Sequence, residues 1–251
     1  EPIRNQTHNY PTNARTELYT AFYGYTSDPS PELVEWWHKR GLSDGLLKRA
    51  GWRTITKEAY QKLTNDYTVQ ELVDGGILTE RANGYAPVFY RHTVVVPFYD
   101  GDDIIAIRAR ALDPTVKAKY LAPKYSSPPI YNYQTLLDYD DTKPLYVTES
   151  ETDALALTEM GETAIALVGG NKHPESLLVR ELVHLVVDGF DGAIDIRIVT
   201  DRDATGNTFY EAVAKALYLG GVQAKQIYKY TCKHPEHKDI AECLASGNRE
   251  A

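Results

Sequence analysis

The sequence has little of several features that would assign it to a class at once. Two cysteines in 251 residues cannot form a disulfide framework, so a cytosolic protein is expected. No apolar run reaches the roughly 18–20 residues that cross a bilayer, and Glu1-Pro2-Ile3-Arg4-Asn5 has no charged-then-apolar signal pattern. With 27 basic and 35 acidic residues the net charge is −8, which argues against a protein that coats nucleic acid by charge alone.

The first part of the chain has no sustained hydrophobic period. Residues 1–31 are polar and contain four prolines, so we expect an N-terminal arm or linker. Helix signals begin at Ser30-Pro31-Glu32, with proline in the first turn beside an acidic residue. Two apolar runs, 93–99 and 104–111, then predict a β-hairpin. Residues 32–142 are therefore assigned to a small α+β subdomain.

From Pro144 onward the pattern changes to strands that alternate with helices. Strands are predicted over 144–148, 163–168, 194–200 and 224–230. Helices between consecutive strands imply parallel pairing through right-handed crossovers, with an active site at the carboxyl ends of the strands. Residues 143–251 are therefore predicted to form an α/β domain with a parallel sheet flanked by helices.

Acidic residues follow three of these predicted strands. The residues concerned are Glu149, Glu151 and Asp153 after the first strand, Asp201 and Asp203 after the third, and Asp239 and Glu242 after the fourth. Unpaired carboxylates along one sheet edge repel one another, and hard oxygen ligands at this density suit Mg²⁺ or Mn²⁺. The alternative is that each acid occupies a helix N-terminus, where the helix dipole favours negative charge.

A basic stretch precedes the α/β part. Residues 104–125 contain five cations against Asp113 alone, a net charge of +4. Such a patch can bind a nucleic-acid strand despite the negative total charge, and Tyr120 within it could either stack on a base or cover a loop. Near the C-terminus, Cys232, His234, His237 and Cys243 offer zinc-ligand chemistry, but their spacing matches no common finger, and a reduced, buried Cys243 is the simpler interpretation.

The acidic motifs resemble the Toprim domain of primases, topoisomerases and several nucleases. The resemblance is carried by Glu149-Ser150-Glu151-Thr152-Asp153, Gly161, Gly169-Gly170 and Asp201-Arg202-Asp203-Ala204-Thr205-Gly206. The ending Lys238-Asp239-Ile240-Ala241-Glu242-Cys243-Leu244 is most similar to phage primase–helicases and their mitochondrial relative Twinkle.

Upstream segments extend the likeness to the primase catalytic core, which also occurs in bacterial replicative primases. They are His38-Lys39-Arg40-Gly41-Leu42-Ser43, Tyr90-Arg91, Ile107-Arg108-Ala109-Arg110-Ala111-Leu112 and Lys119-Tyr120-Leu121. The match spans roughly residues 32–246 in the family's order. Because topoisomerases and Toprim nucleases lack the upstream part, the resemblance favours a primase.

The resemblance implies a metal-dependent nucleotidyltransferase that makes short RNA primers on single-stranded DNA during replication. It implies catalytic roles for Glu149, Asp201 and Asp203, and a Mg²⁺ or Mn²⁺ site formed by Glu149, Asp153, Asp201, Asp203 and Asp239. Template and nucleotide binding are expected at Arg91, Arg108, Arg110, Lys119, Lys124 and Lys238. The expected partners are single-stranded DNA, nucleoside triphosphates and a replicative helicase, in cis or in trans. The expected setting is phage or plasmid replication in the cytoplasm of a bacterial cell.

Several departures from the family pattern keep alternatives open. Ser150 replaces the usual glycine, and Ala241 stands where bacterial enzymes have a second aspartate, although Glu242 is near. Residues 1–31 contain no cysteine for a zinc-binding module, and no zinc is expected in this chain; no GxxxxGK[ST] motif for a helicase motor occurs either. The alternatives are a Toprim nuclease or phosphodiesterase, and a non-catalytic nucleic-acid-binding module.

Overall fold

A computed structural model describes residues 14–124, 126–137, 139–169, 173–190, 193–234 and 236–247. The chain divides into two compact units. The N-terminal unit contains the described residues of His8–His38 and Asp44–Pro128. The C-terminal unit contains Lys39–Ser43 and the described residues of Pro129–Ala251. Among the described residues, no helix combines the length and apolarity needed to cross a bilayer.

The N-terminal unit packs helices on a small antiparallel sheet. Its helices are α1 (Ala14–Tyr25), α2 (Pro31–His38), α3 (Asp44–Ala50), α4 (Lys57–Asp66) and α5 (Val69–Asp74). Its strands are β1 (Arg53–Thr54), β2 (Leu78–Arg81), β3 (Gly84–Pro87), β4 (Val94–Asp100), β5 (Asp103–Arg110) and β6 (Tyr120–Leu121). The main sheet has the order β1-β4-β5-β6, and β2 and β3 form a separate hairpin.

The predicted hairpin at residues 93–111 is confirmed. Strands β4 and β5 pair antiparallel from Val94↔Arg110 to Asp100↔Asp103. Gly101 in the turn has a φ of +59°, a left-handed conformation that glycine adopts without steric cost. The alternation along β5 brings Arg108 and Arg110 to the same side of the strand, as predicted.

The interpretation of residues 1–31 as an arm or linker is wrong for the described residues 14–25. They form α1, in which Leu18, Tyr19 and Phe22 are buried in the core of the N-terminal unit. These three residues lie on one helix face, but the polar and aromatic residues between them obscure the period. Residues 1–13 lie outside the described part of the chain. Helix α4, also within this core, was not predicted.

The C-terminal unit is a parallel sheet flanked by helices, as predicted. Its elements are β7 (Leu145–Thr148), α6 (Glu151–Glu159), β8 (Thr163–Ala166), α7 (Leu177–Phe190), β9 (Ile196–Val199), α8 (Ala204–Leu219), β10 (Ile227–Tyr230) and α9 (Ile240–Ala245). The strand order is β10-β9-β7-β8, and each neighbouring pair is parallel. Alternate strand residues, such as Val147 and Ile198, share a core with Leu182 of α7 and Phe209 of α8.

The C-terminal unit begins earlier than the predicted boundary at residue 143. Tyr131 exchanges two backbone hydrogen bonds with Ala166 at the edge of β8, at 2.9 and 3.1 Å. Ile130 and Leu136 lie in the same buried cluster as the strands. The segment from 129 therefore packs with the parallel sheet, although it contains no strand that a hydrophobic pattern could reveal.

Candidate metal centre

Carboxylates cluster at the carboxyl end of the parallel sheet. Glu149 follows β7 directly, Asp201 and Asp203 follow β9, and Asp239 lies in the loop after β10. Asp153 belongs to the first turn of α6. The negative charges of Asp239 and Asp201 both contribute to raising the pKa of Asp153, after the larger effect of burial. The structure therefore brings together acids from three separate strand ends, as the sequence predicted.

Asp153 is the most deeply buried of these carboxylates. Its Oδ2 accepts a 2.5 Å hydrogen bond from Ser150 Oγ, and its Oδ1 accepts one of 3.2 Å from the Ala241 amide. Burial, followed by repulsion from Asp239, raises the pKa of Asp153 to about 7. The two hydrogen bonds oppose that increase because they stabilise the ionised carboxylate.

Ser150 has a structural role at the position where the resemblance leads us to expect glycine. It is the N-cap of α6, and its Oγ accepts a hydrogen bond from the Asp153 amide at 3.2 Å. Together with the bond that it donates to the Asp153 carboxylate, this fixes the Asp153 side chain next to the β7 end. The sequence contains the signal for this cap, a serine three residues before an acid at a helix start, although the cap was not predicted.

Two other acids in the cluster also begin helices. Asp203 is the N-cap of α8, where it accepts the Gly206 amide at 2.9 Å, and this bond is the main reason that its pKa is lowered. Asp239 is the N-cap of α9 and accepts the Glu242 amide at 2.8 Å. Burial is the main cause that raises the pKa of Asp239. Asp203 and Asp239 therefore cap helices, as the alternative interpretation predicted, and they also belong to the group of carboxylates at the sheet edge.

The motif after β9 requires glycine at position 206 because the backbone of Asp201 lies close to it. A Cβ atom on Gly206 would lie 2.4 Å from the Asp201 carbonyl oxygen. The absence of a side chain lets α8 begin directly against the loop that carries Asp201 and Asp203.

Lys238 lies among the acids. Its Nζ is 3.0 Å from Asp201 Oδ2 and 3.6 Å from Asp203 Oδ2. The hydrogen bond and charge of Asp201 are the main causes that raise the pKa of Lys238. The sequence predicts that Lys238 binds template or nucleotide, and this stays a prediction; in the structure its ammonium group contacts two carboxylates of its own unit.

The donor chemistry of this site fits a hard divalent cation. Carboxylate oxygens are the preferred protein ligands of Mg²⁺ and Mn²⁺. Burial is the first cause that raises the pKa values of Asp153 and Asp239, and the charges of neighbouring carboxylates add to it. Within the described residues, however, no three histidine, cysteine or acidic side chains are grouped closely enough to hold an ion as they stand. Metal binding by Glu149, Asp153, Asp201, Asp203 and Asp239 would therefore need side-chain movement, and it stays a prediction.

The two cysteines pack against each other inside the C-terminal unit. Cys232 and Cys243 are both buried reduced thiols, and burial is the first cause that raises the pKa of Cys243, followed by its hydrogen bond with Cys232. His237 is hydrogen-bonded to Ser246 at 2.9 Å. The described contacts of Cys243 agree with the interpretation of a reduced, buried cysteine in the last helix.

A cluster of aromatic and basic side chains lies in the N-terminal unit. The Arg108 and Arg110 guanidinium groups lie 4.7 and 4.6 Å from the Tyr120 ring centroid, and Arg110 also lies 4.3 Å from that of Trp36. Trp36 in turn stacks on Trp52 at 5.9 Å. Arg110 is only 5% exposed, and its Nε has no hydrogen-bond partner among the described residues. We call these five residues the cation–aromatic cluster. The sequence pattern did not predict that Trp36 and Trp52 belong to it.

The other predicted template-binding residues have different surroundings. Arg91 forms an ion pair with Asp113 at 3.1 Å and a hydrogen bond to Thr115 at 3.2 Å. Lys124 donates to the Thr79 hydroxyl at 3.0 Å. Lys119 is exposed in the segment before β6. Binding of DNA or nucleotides by any of these residues stays a prediction.

We expect Asp153 to make the stability of the fold depend on pH. Its pKa of about 7 in the folded chain exceeds the usual value of about 4 in an unfolded chain, so the folded state binds its proton more tightly. The stabilisation is complete below pH ~4 and is lost as the pH rises to about 7. Between pH 4.5 and 8, wild type should lose on the order of 3 kcal/mol of unfolding free energy relative to Asp153→Asn.

Urea unfolding of both proteins in EDTA at several pH values measures this difference. Asp153→Asn is a suitable reference because it removes the titration and keeps the shape of the side chain. Parallel stability profiles for the two proteins would show that Asp153 titrates normally and would contradict the expectation.

Comparison with known proteins identifies the class to which this site and sheet belong. Residues 146–244 match the family described as Toprim-like. No curated protein sequence matches the chain significantly. The C-terminal unit is therefore similar to the Toprim-like family over residues 146–244. Its parallel sheet flanked by helices, preceded by a smaller α+β subdomain, confirms the predicted fold class.

Solved structures extend the likeness to nearly the whole chain. The DnaG primase catalytic domain bound to single-stranded DNA is 19% identical, with a TM-score of 0.70 over 94% of this chain and 76% of that one. A DNA primase domain from Pseudomonas aeruginosa is 21% identical, with a TM-score of 0.70 over 93% and 75%. The RNA polymerase domain of Mycobacterium tuberculosis DnaG, in complex with a DNA duplex that has a 6-nucleotide overhang, is 18% identical, with a TM-score of 0.70 over 95% and 78%. The chain thus has the fold of the bacterial primase catalytic core.

Proposed function

We propose that this protein is a DNA primase, a metal-dependent nucleotidyltransferase that synthesises short RNA primers on single-stranded DNA. The observation that carries the proposal is the set of acids at three strand ends of a Toprim-like domain. The fold of the primase catalytic core over 94% of the chain supports it. The primases of similar fold were solved with single-stranded DNA or with duplex DNA that has an overhang, which supports a template strand as partner.

The proposed reaction joins a primer 3′-hydroxyl to the α-phosphate of an incoming nucleoside triphosphate. The new phosphodiester bond forms as the bond to the β-phosphate breaks, and pyrophosphate leaves. Mg²⁺ or Mn²⁺, when bound, would lower the pKa of the hydroxyl and offset the charge of the leaving group. Asp201, Asp203 and Asp239 would hold the cation with help from Asp153.

The proposed roles of Glu149 and Ser150 follow from their positions in the structure. Glu149, directly after β7, would accept the hydroxyl proton or orient the group that does. Ser150 would keep Asp153 in place through its 2.5 Å hydrogen bond. Positioning and electrostatic stabilisation, rather than a covalent intermediate, would supply most of the rate enhancement.

Template binding is proposed for the N-terminal unit. Arg108 of the cation–aromatic cluster and the exposed Lys119 would contact backbone phosphates, and Tyr120 would offer a ring for base stacking. Arg91 and Lys124 would first have to leave their partners Asp113 and Thr79. A replicative helicase, in cis or in trans, is the proposed partner protein.

The test is incubation of the protein with single-stranded DNA, labelled ribonucleoside triphosphates and Mg²⁺ or Mn²⁺. We expect short labelled oligonucleotides that require the template, all the complementary nucleotides and the metal. Shortened template without incorporation would contradict synthesis and support a Toprim phosphodiesterase. If neither product forms and DNA is still bound in a mobility-shift assay, a non-catalytic binding module would replace the proposal.

A further inference from the structure

Lys238 is held beside Asp201 and Asp203 by its own backbone. Its amide donates to Glu242 Oε2 at 2.8 Å, and its carbonyl accepts the Arg202 amide at 3.3 Å. Arg202 lies between Asp201 and Asp203 in the sequence, and Glu242 belongs to the helix that Asp239 caps. The backbone of Lys238 therefore joins two of the acid-bearing loops.

The side chain of Lys238 is less constrained than its backbone. It is 55% exposed, while its ammonium group contacts Asp201 Oδ2 at 3.0 Å and Asp203 Oδ2 at 3.6 Å. An exposed ion pair of this kind is weak, so the side chain can turn into solvent at small cost. Because the backbone of Lys238 is fixed and its ammonium group can move, this cation stays near the carboxylates and can still leave them.

We propose that Lys238 is the internal counter-cation of the metal site and that a divalent ion displaces its ammonium group from Asp201 and Asp203. This inference rests on the proposed function, in which the same two carboxylates bind Mg²⁺ or Mn²⁺. A divalent ion bound through these oxygens would lie close to the ammonium group, and two cations repel each other at such a distance. Lys238 therefore leaves as the metal binds, and it offsets the repulsion among the carboxylates when no metal is present.

Under this proposal, the charge of Lys238 stabilises the metal-free fold and weakens metal binding. A lysine that only binds nucleotide would have neither effect. Without metal, loss of its charge leaves Asp201 and Asp203 without their contact cation, so the fold becomes less stable. With metal, loss of its charge removes a competitor, so the metal binds about fivefold more tightly, a factor that corresponds to one exposed ion pair at the upper end of its usual range.

The test uses the whole chain and compares wild type, Lys238→Met, Lys238→Arg and the control Lys229→Met. Lys229 is suitable because it lies on β10 in the same unit and contacts Asn207 rather than the acids. Calorimetric titration with Mn²⁺ at fixed ionic strength gives the affinity, and thermal unfolding in EDTA and in Mn²⁺ gives the stability. The expected results are about fivefold tighter binding and a lower midpoint in EDTA for Lys238→Met, with Lys238→Arg and Lys229→Met close to wild type.

A second measurement observes the displacement itself. In protein with ¹³C at the lysine ε-carbon, the Lys238 signal is assigned by its absence in Lys238→Met. Addition of Mg²⁺ should move this signal to the position of solvent-exposed lysines, while the Lys229 signal stays unchanged. A Lys238 signal that does not move while Mg²⁺ binds would overturn the inference.

The outcomes separate this inference from the proposed function. Equal Mn²⁺ affinity in wild type and Lys238→Met overturns the counter-cation role and leaves the metal site standing. A raised KM for nucleotides with unchanged Mn²⁺ affinity also overturns it, in favour of direct nucleotide binding by Lys238. Absence of Mn²⁺ binding in every variant overturns both the inference and the metal site of the proposed function.

Discussion

Replacement of Asp201 by asparagine should lower the rate of primer synthesis by about 10²–10³-fold, the usual cost of losing a charged group that stabilises the transition state. Asp201 caps no helix in the described structure, and its Oδ2 lies 3.0 Å from Lys238 Nζ. The change keeps the size of the side chain and removes only its charge, so the fold should remain. Incorporation of labelled nucleotides into short products measures the effect.

Asp195→Asn is the matched control for this prediction. Asp195 is exposed at the amino end of β9, the same strand whose carboxyl end leads into Asp201, and its backbone carbonyl bonds to Leu145. The control should synthesise primers at the wild-type rate, and both variants should unfold close to the wild-type temperature. Primer synthesis by Asp201→Asn at more than a tenth of the wild-type rate would remove Asp201 from the catalytic site.

Replacement of Arg110 by methionine should weaken the binding of single-stranded DNA about tenfold without changing its salt dependence. The Arg110 guanidinium group lies between the rings of Trp36 and Tyr120 and is almost entirely buried. We therefore expect Arg110 to hold these rings in position for base stacking, an interaction worth about 1–3 kcal/mol per base, rather than to neutralise a phosphate. Fluorescence anisotropy of labelled oligonucleotides at several salt concentrations gives both quantities.

Arg108→Met provides the contrast within the same strand. Arg108 is only partly buried, so its loss should reduce the slope of log Kd against log salt concentration by about 0.7, the value for one phosphate contact on a single strand. Arg49→Met, an exposed residue of α3, serves as the control for the loss of one positive charge. A reduced slope for Arg110→Met, equal to that for Arg108→Met, would show that Arg110 contacts phosphate directly and would contradict the positioning role.

The unfolding free energy of Arg110→Met tests whether the buried Arg110 cation contributes to the stability of the fold. Methionine fills a similar volume without a charge to desolvate, and such replacements of buried ions are often neutral or stabilising. We expect the unfolding free energy to change by less than about 1 kcal/mol, because the lost contacts with two rings offset the lost desolvation cost. Unchanged stability together with weaker DNA binding would separate the functional effect from a packing defect.

Much of the C-terminal unit follows from local sequence pattern. Short apolar runs bounded by helices give the four parallel strands, and the acids after three of these runs must lie at one sheet edge because the strands are parallel. The glycine of the Asp201–Gly206 motif was likewise recognisable, and the 2.4 Å approach to Asp201 explains it. The N-terminal unit was harder to predict, since α1 carries its buried Leu18 and Phe22 among polar residues in a stretch that resembles a linker.

The sequence by itself determined the two fold types, the β4–β5 hairpin, the order of the elements in the C-terminal unit and the edge at which the carboxylates lie, because each depends on periods and turns within a few residues. Only the tertiary structure decided that Lys238 contacts Asp201 and that Arg110 contacts the rings of Trp36 and Tyr120. It also moved the start of the C-terminal unit to residue 129, where Tyr131 bonds to Ala166. The physical reason is that these contacts join residues far apart in the chain, so burial and side-chain packing select them and no local repeat records them.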